Sequence, residues 1–300
     1  MRALMFAILL AGLASAPAIA DTAAGIAAYA KEDYETARNL LKPEAEKGDP
    51  EAQVKYGLIF AKGLGVPRDG AEGFKWFQKS SDQGNVEAFY CMGVAYDTGD
   101  AGAKDLTKAA MWYRKGAEKG YAKAQYNLAV MLQYGDGVPT DIDEGMKWLR
   151  KAAEQSNADA EGRLAYDHIK GGFGVEENLL AARYWAERAA QHGDERGQQI
   201  AEELHKEFIR IEREDHVPRT AGGDGSTLER AIQLPDQTKE TTGVSAEYDV
   251  LHYFFPGYRK ISQALLSGPN DRPYDVLTVS KDGKQRDIYF DITNFFGNME

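Results

Sequence analysis

The chain has 300 residues, 28% of them charged, with a formal net charge of −11 and a single cysteine. That acidic balance repels nucleic acid and anionic lipid, and no Lys/Arg-rich run offsets it. One cysteine excludes an internal disulfide, so packing alone must hold the fold.

The first twenty residues read as an export address. Arg2 supplies a positive start, residues 4–13 an apolar run, and Ala18-Ile19-Ala20 the small-x-small pattern that signal peptidase cuts. Cleavage is expected after Ala20, giving a periplasmic or secreted protein. Loss of Arg2, the only charge in residues 1–20, takes the net charge from −11 to −12. The apolar run is shorter than the roughly 20 residues a bilayer span needs, and position 21 is Asp rather than Cys. Neither membrane insertion nor a lipid anchor is expected.

From there the sequence is periodic. Trp76, Trp112, Trp148 and Trp185 form one series, and Ala52, Ala88, Ala124 and Ala160 a second. Asp69, Asp105, Asp141 and Asn178 form a third. A step of about 36 residues repeated in several columns is the signature of a helix-pair array. In the first full unit a helix is predicted over 52–62, with Ala52, Tyr56 and Phe60 on one apolar stripe. Glycine loops follow at Gly63-Leu64-Gly65-Val66, Gly135-Asp136-Gly137-Val138 and Gly172-Phe173-Gly174-Val175. The second helix starts near Asp69 or Asp141, each with an acid three residues on, Glu72 or Glu144. These acids suit the first-turn amides and the helix dipole.

These columns resemble the Sel-one-like repeat family, relatives of the tetratricopeptide repeats, over residues 34–197. The resemblance rests on Ala124, Leu128-Ala129, Gly135-Asp136-Gly137-Val138, Asp141, Trp148-Leu149 and Ala152-Ala153, and on Ala-Ala-Met-Trp-Tyr at 109–113. It implies a right-handed α/α superhelical solenoid that binds a protein or peptide on its concave face, without cofactor, metal or catalysis. Three departures stand out. The loop Gly99-Asp100-Ala101-Gly102 lacks the second glycine and valine, so its turn should differ. Residues 22–48 read as an N-terminal cap in which Pro43 should kink or end the helix. Residues 194–212 read as a closing helix, with Ile200, Leu204, Phe208 and Ile211 on one stripe. The solenoid with its caps is thus expected over 21–212.

The tryptophans are expected to be structural core, since burying one removes roughly 150–250 Å² from water. The first-helix positions outside the apolar stripe are the candidate binding face. They put Lys55, Tyr90, Tyr126, Asn127, Tyr134, Arg163 and Tyr166 forward as partner contacts; packing between adjacent units is the competing role for some of the tyrosines. Cys91 has no partnering base in its register, and the histidines (His168, His192, His205, His216 and His252) show no metal-ligand spacing.

Residues 213–226, with Pro218 and a Gly-rich run, read as a linker. Residues 227–300 then read as a small α+β module, one helix over 244–255 on a three- to four-stranded antiparallel sheet. Strands are predicted at 231–234, 260–266, 274–280 and 285–292, with a tight turn at Asp282-Gly283. Asp287 and Asp291 lack the acid-x-Lys arrangement of a metal-dependent nuclease. The leading expectation is a non-catalytic periplasmic scaffold or adaptor. The alternatives are a cell-wall enzyme or its regulator working through the C-terminal module, and a secreted virulence or immunity factor.

Overall fold

The computed structural model describes residues 16–175, 177–214, 221–222, 232–233, 250, 255, 258–267, 273–281 and 283–291. Its helices are α1 (Ala16–Ala30), α2 (Tyr34–Lys47), α3 (Pro50–Lys62), α4 (Gly70–Asp82), α5 (Val86–Thr98), α6 (Leu106–Glu118), α7 (Ala122–Tyr134), α8 (Ile142–Glu154), α9 (Ala158–Lys170), α10 (Leu179–Gln191) and α11 (Glu195–Glu214). Among the described residues five strands follow: β1 (Ala221–Gly222), β2 (Ile232–Gln233), β3 (Arg259–Ser267), β4 (Pro273–Lys281) and β5 (Lys284–Asp291). The chain divides into two compact units, Met1–Ala152 and Ala153–Glu300.

The repeat register is written into the helix caps. Before the second helices, Asp33, Asp69, Asp105 and Asn178 accept a hydrogen bond from the amide three residues on, and Asp141 accepts from Glu144. Before the first helices, Asp49, Asn85 and Asn157 do the same for Ala52, Ala88 and Ala160. Each cap contributes about 1 kcal/mol. The residues at 69, 105, 141 and 178 also act through their backbones. Their own amides donate to the carbonyls of Phe60, Tyr96, Leu132 and His168, closing each loop onto its first helix. The departing loop at 99–102 does differ. There Ala101 donates to the Ala95 carbonyl, where Leu64 and Asp136, one register position earlier, donate to Ile59 and Met131. Gly137 has φ +69°, and a Cβ there would lie 2.3 Å from the Leu106 carbonyl carbon, so the loop after α7 can press on the start of α6 only with glycine.

In the first unit, consecutive helices pack pairwise from α1 through α7. Gln53 and Gln125 are buried, and each Nε2 donates at 3.1 Å to a carbonyl of the preceding second helix, Ala45 or Ala117. α2 runs on through Pro43 rather than ending there. Asn39, whose carbonyl loses its helical partner at the proline, is exposed, as is Pro43 itself, so water can take the freed acceptor.

The tryptophans are not four equivalent wedges. Trp76 and Trp185 are buried, whereas Trp112 and Trp148 are half-buried. Trp76 meets Tyr56 edge-on at 5.3 Å, and Trp112 packs on Phe89 at 5.8 Å. The other ring face is covered from its own helix: the ammonium groups of Lys79, Lys115 and Lys151 lie 3.8, 4.0 and 4.5 Å from the indole centroids of Trp76, Trp112 and Trp148. Glu72 and Glu144 accept from the Trp76 and Trp148 indole N–H groups at 2.9 and 3.1 Å. An aromatic face covered by its own lysine is not presented to a ligand, and the pairing contributes about 0.5–1 kcal/mol.

In the second unit, α9, α10 and α11 pack together. The sheet order is β1-β2-β5-β4-β3. β3, β4 and β5 are antiparallel, but β2 runs parallel to β5, so the sheet is mixed rather than wholly antiparallel. Lys281 pairs with Lys284 across the predicted tight turn, where Gly283 takes φ +76°. Arg213 and Glu214 extend α11, and Ala221-Gly222 pairs as β1 with β2, so part of the expected linker carries secondary structure. Leu204 and Phe208 of α11, Leu180 and Ala182 of α10, and Ile232, Leu277, Val279, Ile288 and Phe290 of the sheet form one buried cluster. The helix expected over 244–255 lies outside the described residues apart from Val250 and Phe255, both buried in that same cluster. His216 and His252 also lie outside the described residues.

Candidate functional site

In the first unit the candidate residues sort by what they already touch. Lys55 Nζ, on α3, donates to both Glu87 oxygens on α5 at 2.7 and 2.8 Å, bridging successive repeats. Tyr90 is half-buried, with its ring 6.0 Å from Tyr113 and 5.5 Å from Tyr121. Asn127 shares a hydrogen bond with the buried Tyr113 hydroxyl, and burial pushes that phenol well above its usual range. Tyr126 is half-buried and Tyr134, at the end of α7, is 56% exposed. Lys55, Tyr90 and Asn127 therefore hold repeats together, while Tyr134 projects outward.

In the second unit Tyr166 is 49% exposed. Arg163 is engaged internally: Nε donates to Asp167 Oδ1 at 2.9 Å, and the guanidinium lies over Phe173 at 4.8 Å. Asp167 is buried, and burial raises its carboxyl above the usual range against the opposing pull of Arg163. Glu161, fully buried, accepts from Arg188 Nε at 2.9 Å and lies 2.6 Å from His192 Nδ1.

Three residues around Lys55 are not singled out by the sequence. Tyr29 of α1 has its phenol pushed up to about 12, first by burial and then by Tyr34, Glu87 and Cys91. Tyr121 is raised beyond the usual range by burial, then by Glu87, Cys91 and Tyr90. Glu87 itself is the acid these groups share. Tyr29 lies in a segment that reads only as a cap. Tyr121 does leave a signal: it stands where Asp49, Asn85 and Asn157 cap their helices, and it makes no side-chain cap bond.

Cys91 is buried beneath this cluster, and burial, then Glu87, pushes its thiol up to about 12. A buried, protonated thiol is a poor nucleophile. The native protein is therefore expected to leave an aromatic disulfide reagent unreacted at neutral pH and to titrate one thiol in denaturant. Rapid native labelling would contradict the burial. Among the described residues no group of three or more His, Cys, Asp or Glu is placed to hold a metal, and no helix is long and apolar enough to cross a membrane.

The stretches 50–85, 88–121, 122–157 and 158–194 each match the family model of the Sel1 repeat. Two solved structures are similar. One is a Sel1 repeat protein from Oxalobacter formigenes, 28% identical with a TM-score of 0.51, over 61% of this chain and 75% of that one. The other is a protective antigen present in uropathogenic Escherichia coli strains and displaying an SLR fold, 32% identical with a TM-score of 0.51, over 58% of this chain and 36% of that one. No curated protein matches. Residues 50–194 are thus a Sel1-repeat solenoid, and such repeats are protein-interaction scaffolds, in general non-catalytic.

Proposed function

We propose that the chain is an exported periplasmic scaffold that holds a protein partner on the first-helix face of its repeats. In the first unit that face is centred on the Lys55–Glu87 pair, with Tyr29 and Tyr121 near Glu87, and takes in the half-buried Tyr126 and the outward-projecting Tyr134 of α7. Arg163 and Tyr166 are its counterparts in the second unit. Tyr121 is the observation that carries this reading. An asparagine there would give the start of α7 a cap contributing about 1 kcal/mol; the chain forgoes it for an aromatic side chain beside Glu87 and Tyr90. Tyrosine is a favoured interface anchor.

The test is capture from a periplasmic extract by the full mature chain and by a Tyr29→Ala/Tyr121→Asn variant. Restoration of the cap offsets the lost ring contacts, so the variant is expected to stay folded by circular dichroism. Its affinity for captured partners should fall roughly tenfold or more, the weight of one lost anchor at about 1.4 kcal/mol. A folded variant that retains every partner at wild-type affinity overturns the reading. Export has its own check: mass spectrometry of the periplasmic protein should find Asp21 as first residue. Support for that cut comes from α1, whose buried Ala28 and partly buried Ile26 and Tyr29 all lie beyond it. The sheet of the second unit covers Leu204 and Phe208 of α11, which supports a role in sealing the end of the repeat array.

A further inference from the structure

The bridge between Lys55 and Glu87 is left unbalanced one repeat further along. Lys55 of α3 pairs with Glu87 of α5 at 2.7 Å. The residues at the same two register positions one repeat on are Cys91 of α5 and Lys123 of α7. A buried, protonated thiol offers an ammonium no opposite charge, so Lys123 stands exposed without its counterpart. Lys62, two helical turns beyond Lys55 on the same side of α3, is exposed as well. Among the described residues neither Lys62 nor Lys123 has an ion-pair partner. Of the charges acting on the Cys91 thiol, Glu87 is opposed by Lys55, Lys62 and Lys123, so this part of the face carries an excess of cations in a chain of net charge −11. The half-buried rings of Tyr90 and Tyr121, 5.5 Å apart, lie beside the same Glu87 and Cys91. An uncompensated ammonium takes a carboxylate by a charge-assisted hydrogen bond, and partly covered aromatic rings take an apolar side chain.

We propose that the first-helix face of the first unit takes an acidic peptide segment, its carboxylates on Lys62 and Lys123 and an apolar side chain on the Tyr90 and Tyr121 rings. This rests on the reading of that face as the docking surface. The negative charge of the chain as a whole repels an extended polyanion such as nucleic acid, so the occupant is a short acidic run within a protein partner. Random dodecapeptides displayed on phage and selected on the full mature chain are expected to be enriched several-fold in Asp and Glu. Their affinity for a Lys62→Glu/Lys123→Glu variant, folded by circular dichroism because both positions are exposed, should fall roughly tenfold or more. Lys147→Glu/Lys206→Glu makes the same change in net charge at exposed positions of α8 and α11 and should bind within about twofold of wild type. Selected peptides without an acidic bias, or no selected peptides, overturn the proposal. So does a Lys62→Glu/Lys123→Glu variant that binds them as the wild type does, or an equal loss in the Lys147→Glu/Lys206→Glu control. Extract partners lost by the Tyr29→Ala/Tyr121→Asn variant but kept by Lys62→Glu/Lys123→Glu would leave the docking face standing and remove the acidic occupant alone.

Discussion

Replacing Glu161 with alanine should destabilise the second unit by about 3–4 kcal/mol, the lower part of the range for breaking a buried charge pair. The carboxylate is fully buried and serves two partners, the Arg188 guanidinium and the His192 imidazole, whose side chains are 30% and 34% exposed. Partial hydration of those partners is why the loss should fall short of the upper limit, and the vacated volume adds to it. Arg188 Nη2 also donates to the Ala153 carbonyl at 3.4 Å. Glu161→Gln is expected to cost far less, and the chain itself says why. Gln53 and Gln125 occupy the same register position and donate to the Ala45 and Ala117 carbonyls, the counterparts of Ala153. An amide at 161 can make that bond in place of the charge pair. Urea titration of both variants checks the ordering; equal losses would mean that charge, rather than occupancy of the site, is what α9 requires.

How much of this was legible depended on whether the physics was local. Column spacing located the helices because 36-residue periodicity survives in side-chain type wherever a cap, a loop turn or a close approach demands one residue class. Asp69, Asp105 and Asp141 are the clearest case, since each must both cap a helix and close a loop. Depth was less legible than direction. The tryptophan column points to one face, yet Trp112 and Trp148 are half-buried where Trp76 and Trp185 are buried, a difference in depth that the four-fold repeat of the indole conceals. Non-local pairing was hidden altogether. No short-range pattern says that β2 lies parallel to β5, or that Phe208 of the closing helix shares a core with Phe290 of the last described strand. The shared core also bears on dissection. Cutting at 212 would uncover Leu204 and Phe208, so a truncated chain that fails to bind would report a damaged closing helix as readily as a missing specificity module. Point variants on exposed positions are the better instrument. Of the candidate contacts, Tyr134 and Tyr166 proved exposed, while Lys55 and Arg163 were spoken for by Glu87 and Asp167, partners that lie on a neighbouring helix or one turn away.

The repeats also act as mutually informative substitutions. At one first-helix position the series reads Gly57, Gly93, Ala129, Ala165, and at the matching second-helix position Phe77, Tyr113, Leu149, Ala186. Small faces large, and as the first grows the second shrinks. In the second repeat the fit is closest: a Cβ on Gly93 would fall 2.5 Å from two ring carbons of Tyr113, which is buried and hydrogen-bonded to Asn127. Gly93→Ala should therefore destabilise the first unit by about 1–3 kcal/mol, because overpacking outweighs the roughly 1 kcal/mol that alanine contributes within a helix. Tyr113→Leu should cost about 2–4 kcal/mol through the cavity and the lost Asn127 bond. The double variant reproduces the Ala129 and Leu149 combination of the next repeat, where both residues are fully buried. It should recover a coupling of about 1–3 kcal/mol, the range for residues in direct contact. Thermal and urea unfolding of the four proteins closes the cycle. Simple additivity would show that the two positions are matched by the fold as a whole and not by each other.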